Sequence, residues 1–301
     1  MQRFLPALLF ATLSSPAFGA PTPAWLESAR VTWETPSQDS VDSMPLSGRL
    51  GAGANVWVQD GSIWLYLAHN GAYDENGRLL KLGCLRVTPA DTALGSPGFR
   101  QTLDPATGTI TLTQGAFSAR LWFAGETLLL ETTGHAALPL EVAFGTWRDQ
   151  TRDGIRCDMM GAKGRFTADH VTAGPAGFAW HHKNAEYPVD LAGKAAGQGI
   201  PVEALPDVTA RRVFGGAVAV AGGLSEPVSS DVRWQFWNGK AWTGLTPAAT
   251  RHTLAVRLGA GNDADPAAWS REAAASLAPA AIAAAAPTNS SAGASSGPAR
   301  M

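Results

Sequence analysis

The segment from Gly53 to Ala68, GANVWVQDGSIWLYLA, constrains the fold more than any other part of the chain. At its centre, Asp60-Gly61 is a two-residue hairpin signal, because both residues tolerate the positive φ that such a turn demands. That turn sets a register: Gln59 opposite Ser62, Val58 opposite Ile63, Trp57 opposite Trp64, Val56 opposite Leu65 and Asn55 opposite Tyr66. Side chains alternate across a strand, so Val56, Val58, Ile63, Leu65 and Leu67 share an aliphatic face. Asn55, Trp57, Trp64 and Tyr66 share the other face, which is aromatic with polar edges. A sheet with two such faces is expected to be covered on both sides, and directly opposed rings stabilise the pairing.

The same grammar recurs along the chain. Ile110 and Leu112 alternate with threonines, Gln114-Gly115 turns the chain, Phe117 to Phe123 returns, and Ala124-Gly125-Glu126 leads into Thr127 to Glu131. Further strands are expected at Leu140 to Gly145, Gly177 to His181, Val213 to Val220 and Arg251 to Leu258. With 33 glycines and 20 prolines to supply turns, many short strands point to an all-β sandwich or barrel. Asp265 to Ala285 alone reads as helix, with Asp265 as N-cap and Pro266 at the first helical position. After Ala286 periodicity ends, and residues 286–301 read as a disordered tail. A glycosylation sequon, Asn289-Ser290-Ser291, falls in that tail and carries little weight there. The expected organisation is a β-sandwich over residues 24–260, a linker helix over 265–285, and the tail.

The first residues read as an export signal. Arg3 gives a positive start, Phe4 to Leu13 an apolar run, and Ala17-Phe18-Gly19 the small-x-small pattern of a cleavage site, so residues 1–19 are expected to be removed. Cutting after Ala20 instead would place Phe18 in a pocket for small side chains. The apolar run is far short of the ~20 residues that a membrane span needs, and the alanine run from Ala278 to Ala286 is too short as well. Residence is therefore expected in the periplasm or outside the cell, with no membrane attachment after cleavage. A net charge of -2, from 23 basic and 25 acidic residues, provides no bulk field for nucleic acid. Cys84 and Cys157 could be a disulfide in that compartment or two buried thiols. There is no CxxC motif, hence no zinc ribbon or thioredoxin-type site.

Residues Trp33 to Arg100, including WETPSQDSVDSMPLSGRLGAGANVWVQDGSIWLYLAHNGAYDENGRLLKLGCLRV and followed by FRQTLDPATGTI, resemble an exported bacterial family, domain of unknown function 5703. The resemblance extends to Trp147-Arg148-Asp149, His182-Lys183-Asn184 and Val213-Phe214-Gly215-Gly216, covering most of residues 30 to 260. That family stands at the front of six-hairpin glycosidase-like proteins, and the opening pattern is also similar to that of family 95 α-L-fucosidases. The resemblance implies a β-supersandwich of the galactose-mutarotase-like kind, a helical linker, and catalytic carboxylates in an (α/α) barrel missing from this chain. Ser47-Gly48-Arg49 departs from the Gly-Asn-Gly more usual in relatives, which puts any contact of that asparagine in doubt. Codons for Pro287-Thr288-Asn289-Ser290, read in a neighbouring frame, can encode the His-Glu-Gln with which relatives continue. A frameshifted or truncated longer gene is one expectation for the tail.

Glycoside hydrolysis needs two carboxylates ~5 to 9.5 Å apart. The acidic candidates are Asp74 and Glu75, Asp149, Asp153 and Asp158, and Glu186 and Asp190, with no pair singled out by spacing. Asp74-Glu75-Asn76-Gly77 reads more readily as a polar turn. His181 and His182 near Glu186 suggest a metal site, but neighbours in a strand point to opposite faces, so no metal and no cofactor is expected. Motifs for a zinc protease, a nucleophile elbow or a phosphate loop are absent. Trp57, Trp64 and Tyr66 could stack on a sugar or pack against other protein. Because sandwich loops in relatives help wall the barrel's active site, Asn70, Tyr73, Asp74 and Arg78 are the candidates for that role. The expectation is a non-catalytic N-terminal domain of an exported glycoside-hydrolase-like protein, with carbohydrate as its partner. A free-standing carbohydrate-binding module and a hydrolase complete in this chain are the alternatives.

Overall fold

The computed structural model describes residues 23–75, 77–90, 94–95, 97–156, 163–184, 197–201, 209, 211–262 and 265–277. Residues 1–22, which hold the expected export signal, Cys157, Asp158, Glu186, Asp190 and residues 278–301 lie outside these residues. The strands in chain order are β1 (Val31–Trp33), β2 (Met44–Ser47), β3 (Ala52–Gln59), β4 (Ser62–Tyr73), β5 (Leu79–Pro89), β6 (Arg100–Asp104), β7 (Thr109–Gln114), β8 (Phe117–Ala124) and β9 (Thr127–Leu138). They continue as β10 (Leu140–Thr146), β11 (Arg152–Arg156), β12 (Lys163–Phe166), β13 (His170–Gly174), β14 (Gly177–Lys183), β15 (Arg212–Val220), β16 (Val228–Trp234), β17 (Trp237–Leu245) and β18 (Ala249–Asn262). Helix α1 covers Ala24–Ser28 and α2 covers Pro266–Ala275.

All pairing is antiparallel. A nine-stranded sheet runs β1-β6-β7-β8-β9-β18-β15-β14-β13, a seven-stranded sheet runs β16-β17-β10-β5-β4-β3-β2, and β11 and β12 form a small ribbon. The two large sheets share one core. Val56, Val58, Ile63, Leu65 and Leu67 of the seven-stranded sheet meet Ile110, Leu121, Val218 and Val256 of the nine-stranded one. The chain is an all-β supersandwich with one described helix after its last strand.

The hairpin at Asp60-Gly61 has the register that its turn dictates, from Gln59↔Ser62 to Asn55↔Tyr66 and on to Ala52↔His69. Asp60 and Gly61 both take positive φ, 50° and 72°. Its aromatic face is covered too. Trp57 and Trp64 pack with Trp234, Ala143 and Ala241, and with Tyr66 and Trp237 around them. Cys84 sits in the same cluster as a buried free thiol, and burial pushes its pKa well up, so it stays protonated. On the outer face of the nine-stranded sheet, Trp122, Leu129, Ala217 and Ala255 receive Leu277, just past α2. That helix begins as its cap predicts, with Asp265 Oδ1 accepting from the amides of Ala267 and Ala268 at 3.0 Å each.

Two features of β4 and β14 position the site. The register of β4 with β5 shifts after Leu67 and again after Ala68↔Lys81, and pairing resumes at Tyr73↔Leu79, which leads into the tip. β14 runs two residues further than expected, to Lys183, which places His182 inside the sheet.

Candidate functional site

The tip from Tyr73 to Leu79 has the sequence of a solvated turn, yet its two acids are buried. Asp74 is 0% exposed. Its Oδ1 accepts from the Arg78 amide at 2.8 Å, and its Oδ2 accepts from Arg78 Nε and Nη2 at 3.0 and 2.9 Å. The Asp74 amide donates to the Arg78 carbonyl and the Gly77 amide to the Asp74 carbonyl, each at 2.9 Å. The Arg78 guanidinium lies 4.2 Å above the Phe166 ring, an attraction between cation and π face.

Glu75 points the other way, into the sandwich. Its Oε1 accepts from the Thr167 amide at 2.8 Å, and its Oε2 lies 3.2 Å from His182 Nε2. His182 Nδ1 lies 3.0 Å from Asp169 Oδ1. Asp169 in turn accepts from Arg148 Nε at 2.7 Å and from Thr146 Oγ1 at 2.6 Å. Arg148 also donates to the carbonyls of Lys81 and Leu82, at 2.8 and 3.2 Å. The imidazole of His182 stacks on Phe214 at 4.7 Å. Asn184 Nδ2 ties the tip from beside, donating to the Tyr73 carbonyl at 2.9 Å and the Thr209 carbonyl at 3.0 Å.

The protonation states follow from the geometry. Each nitrogen of His182 faces a carboxylate, and an ionised carboxylate can only accept, so both nitrogens carry protons. Burial alone would push His182 down, but the hydrogen bonds to Asp169 and Glu75 outweigh it and hold its pKa above the ordinary range. Burial would likewise raise Glu75 and Asp169. For Glu75 the His182 and Thr167 hydrogen bonds reverse the sign, and for Asp169 the charge of Arg148 and the bond to His182 do so. Two anions and two cations make the cluster neutral, the condition for burying charge at tolerable cost.

A groove of about 420 Å³ runs beside the tip, lined by Asn70, Leu79, Leu80 and Lys81 and by the main chain around Gly48 and Gly51. Gly51 has φ +92°, and a Cβ there would lie 1.9 Å from Asn70 Oδ1, so only glycine fits against that amide. Lys81 Nζ donates to Asn55 Oδ1 at 2.9 Å, and burial lowers its pKa. Around the groove Tyr73, Leu79 and Leu50 are 38%, 58% and 75% exposed.

The residues expected to bind substrate separate into two groups. Trp57 has no exposed surface and Trp64 almost none. Their rings stack at 5.9 Å, and their indole nitrogens donate to Gln59 Oε1 and the Gln59 carbonyl. Tyr66 is half-buried beside Trp57, and its hydroxyl accepts from Trp237 Nε1 at 3.2 Å. The two tryptophans pack on protein and leave no face for a sugar ring to cover. Asn70, Tyr73, Asp74 and Arg78 lie toward the other end of β4 and just past it, with Tyr73 nine residues and roughly 30 Å of strand from Trp64. Within that group Asn70 and Tyr73 are exposed, whereas Asp74 is buried and acts on the others by holding Arg78.

Asp149 pairs with Arg152, and the exposed Asp153 pairs with Arg165. His181 points away from His182, as strand alternation requires, and bonds Ser270 of α2 at 2.7 Å. Among the described residues there is no group of three or more side chains suited to a metal ion. Sequence reasoning missed Asp169 altogether and gave Arg148 no role, although the segments carrying Arg148 and His182 were among those that bear the family resemblance. The available signal was a charged residue inside each of those segments.

The sequence profile of a family described as a domain of unknown function (DUF5703) matches residues 32–292. The chain belongs to the DUF5703 family. No curated protein matches it. Among solved structures, this DUF5703 domain is similar to a protein named as a kojibiose phosphorylase from human microbiome, at 9% identity and a TM-score of 0.35 over 86% of this chain and 36% of that one. It is also similar to a polysaccharide lyase, at 12% identity and a TM-score of 0.29 over 73% of this chain and 32% of that one. The chain spans about a third of the length of either structure.

Proposed function

We propose that this DUF5703 domain is the non-catalytic β-sandwich part of an exported glycoside-hydrolase-like protein. Its Tyr73–Leu79 tip docks on a catalytic (α/α) barrel and shapes the barrel's cleft. The observation that carries this reading is the construction of the tip. A surface turn is anchored by two buried carboxylates, one on its own Arg78 and one on a neutral ionic cluster, and it presents Tyr73 and Leu79 outward beside Leu50. Preorganised loops with exposed apolar side chains are the usual means by which a rigid scaffold meets a partner. Each tip carboxylate is engaged by an internal cation, so the contribution of the tip is positional. The family resemblance supplies the nature of the partner.

Reading the gene beyond codon 301 tests the proposal. A frame encoding a helical barrel is expected, and that barrel, co-expressed, should be retained by the full chain and lost with Tyr73→Ser combined with Leu79→Ser. Absence of such a frame would overturn the reading. So would hydrolysis of aryl-glycosides by the chain itself that Asp149→Asn or Asp153→Asn abolishes, which would favour a complete hydrolase. Export is tested by N-terminal sequencing of the mature protein, which should begin at Ala20. Binding of carbohydrate by the isolated domain is the second reading, and one further concavity favours it.

A further inference from the structure

Where α2 crosses the end of the nine-stranded sheet, a second cleft of about 330 Å³ opens, sharing His69 with the groove beside the tip. Leu258, Gly259 and Ala260 of β18 line one side of it. Trp269, Glu272 and Ser276 line it from α2, and the ion-paired Glu126 and Arg257 line it from the sheet. That side lies close to the half-buried indole because residue 259 is glycine; a Cβ there would sit 3.1 Å from Trp269 Cζ2. His69 closes one end and is fully occupied, its Nδ1 accepting from the Gly71 amide at 3.0 Å and its ring bonded to the Leu50 backbone. Burial lowers its pKa, so it is uncharged at neutral pH.

This lining combines one flat apolar ring with several charged hydrogen-bonding groups at its rim. A pyranose has the matching surface, an apolar C–H face bordered by hydroxyls, and tryptophan offers the broadest flat face of any side chain. The charges narrow the class further. Among the residues lining the cleft, Glu126 and Glu272 are two anions against one cation, Arg257, which is already paired with Glu126; Arg212 acts on His69 from outside the lining. A uronate would meet a surplus of negative charge, whereas a neutral sugar would find carboxylates able to accept from its hydroxyls. The volume falls at the lower end of the ~300–1,000 Å³ typical of small-molecule sites.

We infer that this cleft is a subsite for a neutral pyranose unit of an oligosaccharide, with Trp269 as its apolar contact and Glu272 and Ser276 as hydrogen-bonding partners. The inference rests on the carbohydrate-directed reading above but not on the docking of a barrel.

Calorimetric titration of the full chain with cellobiose, maltose, lactose and digalacturonate tests it. At least one neutral disaccharide should bind and digalacturonate should not. Trp269→Ala should weaken binding about tenfold or more, a difference of ~1.4 kcal/mol. The exposed, shape-conserving Glu272→Gln should weaken it severalfold, so the test survives if Trp269→Ala fails to fold. Val228→Ser, at an exposed position of β16, should leave disaccharide affinity unchanged. Unaltered binding in both cleft variants would overturn this subsite while leaving a carbohydrate role elsewhere on the chain. No binding of any neutral disaccharide, or preferential binding of digalacturonate, would overturn it as well. The co-retention assay with the barrel reads the docking proposal independently.

Discussion

The two ends of β4 are built on different principles. At its start, Asp60-Gly61 turns the chain by local chemistry, and the hairpin is held by rings and aliphatic side chains from positions that the turn itself pairs. At its end, the Tyr73–Leu79 tip is held by charge. The partners of Glu75 come from residues 167 and 182, and those of His182 and Asp169 reach on to Arg148. The first end stabilises; the second places. Buried ion pairs are weak sources of net stability, because desolvation offsets most of their attraction, but they fix geometry. A tip secured in this way is expected to be shaped for what it presents.

The contrast can be broken from either side. The largest effect should come from Asp169→Ala, which leaves Arg148 and His182 buried without their shared anion. A loss of about 3–5 kcal/mol is expected, seen as a fall in melting temperature of roughly 10 °C. An unchanged melting point would mean that the cluster is solvated in solution. Trp57→Ala should cost nearly as much, ~3–5 kcal/mol for a fully buried ring, but through the other end of the strand. Denaturant titration should show that loss while amide protection at the tip persists; loss of protection at both ends together would erase the distinction between them.

A smaller effect, with a defined sign, is the pH dependence. His182 has its pKa raised in the fold, so its contribution is complete below the unfolded value of 6.5 and fades as pH rises through the folded value. Glu75 and Asp169 are lowered, so theirs is complete above 4.5 and 3.8 and fades as pH falls through their folded values. Linkage then places the cluster's greatest stabilisation between about pH 4.5 and 6.5. Melting temperatures followed from pH 5 to 9 should decline on the alkaline side, and His182→Gln should flatten that decline. A wild-type profile that rises through this range would contradict a doubly protonated His182.

What could be read from the sequence divides along the same line. The register of β3 and β4, the meander of β7 to β9 and the cap of α2 were legible because their determinants lie within a few residues of one another. The β16–β17 hairpin was not. Its two-residue turn is Gln235-Phe236, with Gln235 at φ 51°, which lacks the asparagine, aspartate or glycine that announces such turns. Most of β16 is exposed, so it shows no clean alternation of apolar residues. The site was half legible. Strand alternation separates His181 from His182 correctly, and within the candidate loop Asp74 and Arg78 bind one another. The reading of Asp74-Glu75 as a polar turn captures the backbone but misses the burial, because the groups that bury Glu75 are about a hundred residues away in the chain. Trp57 and Trp64 show the converse: an aromatic face can be read from spacing, but whether it meets solvent depends on a hairpin that the spacing does not reveal.

The most direct test is amide hydrogen exchange on the wild type and Glu75→Gln. If buried charge holds the tip, the amides of Asp74, Gly77, Arg78 and Thr167 should be protected in the wild type. They should exchange markedly faster in the variant, while Asn55 to Leu67 keep their protection. Equal exchange of the tip in both proteins would show that local turn chemistry alone shapes it, and would contradict the claim that the ionic cluster positions it.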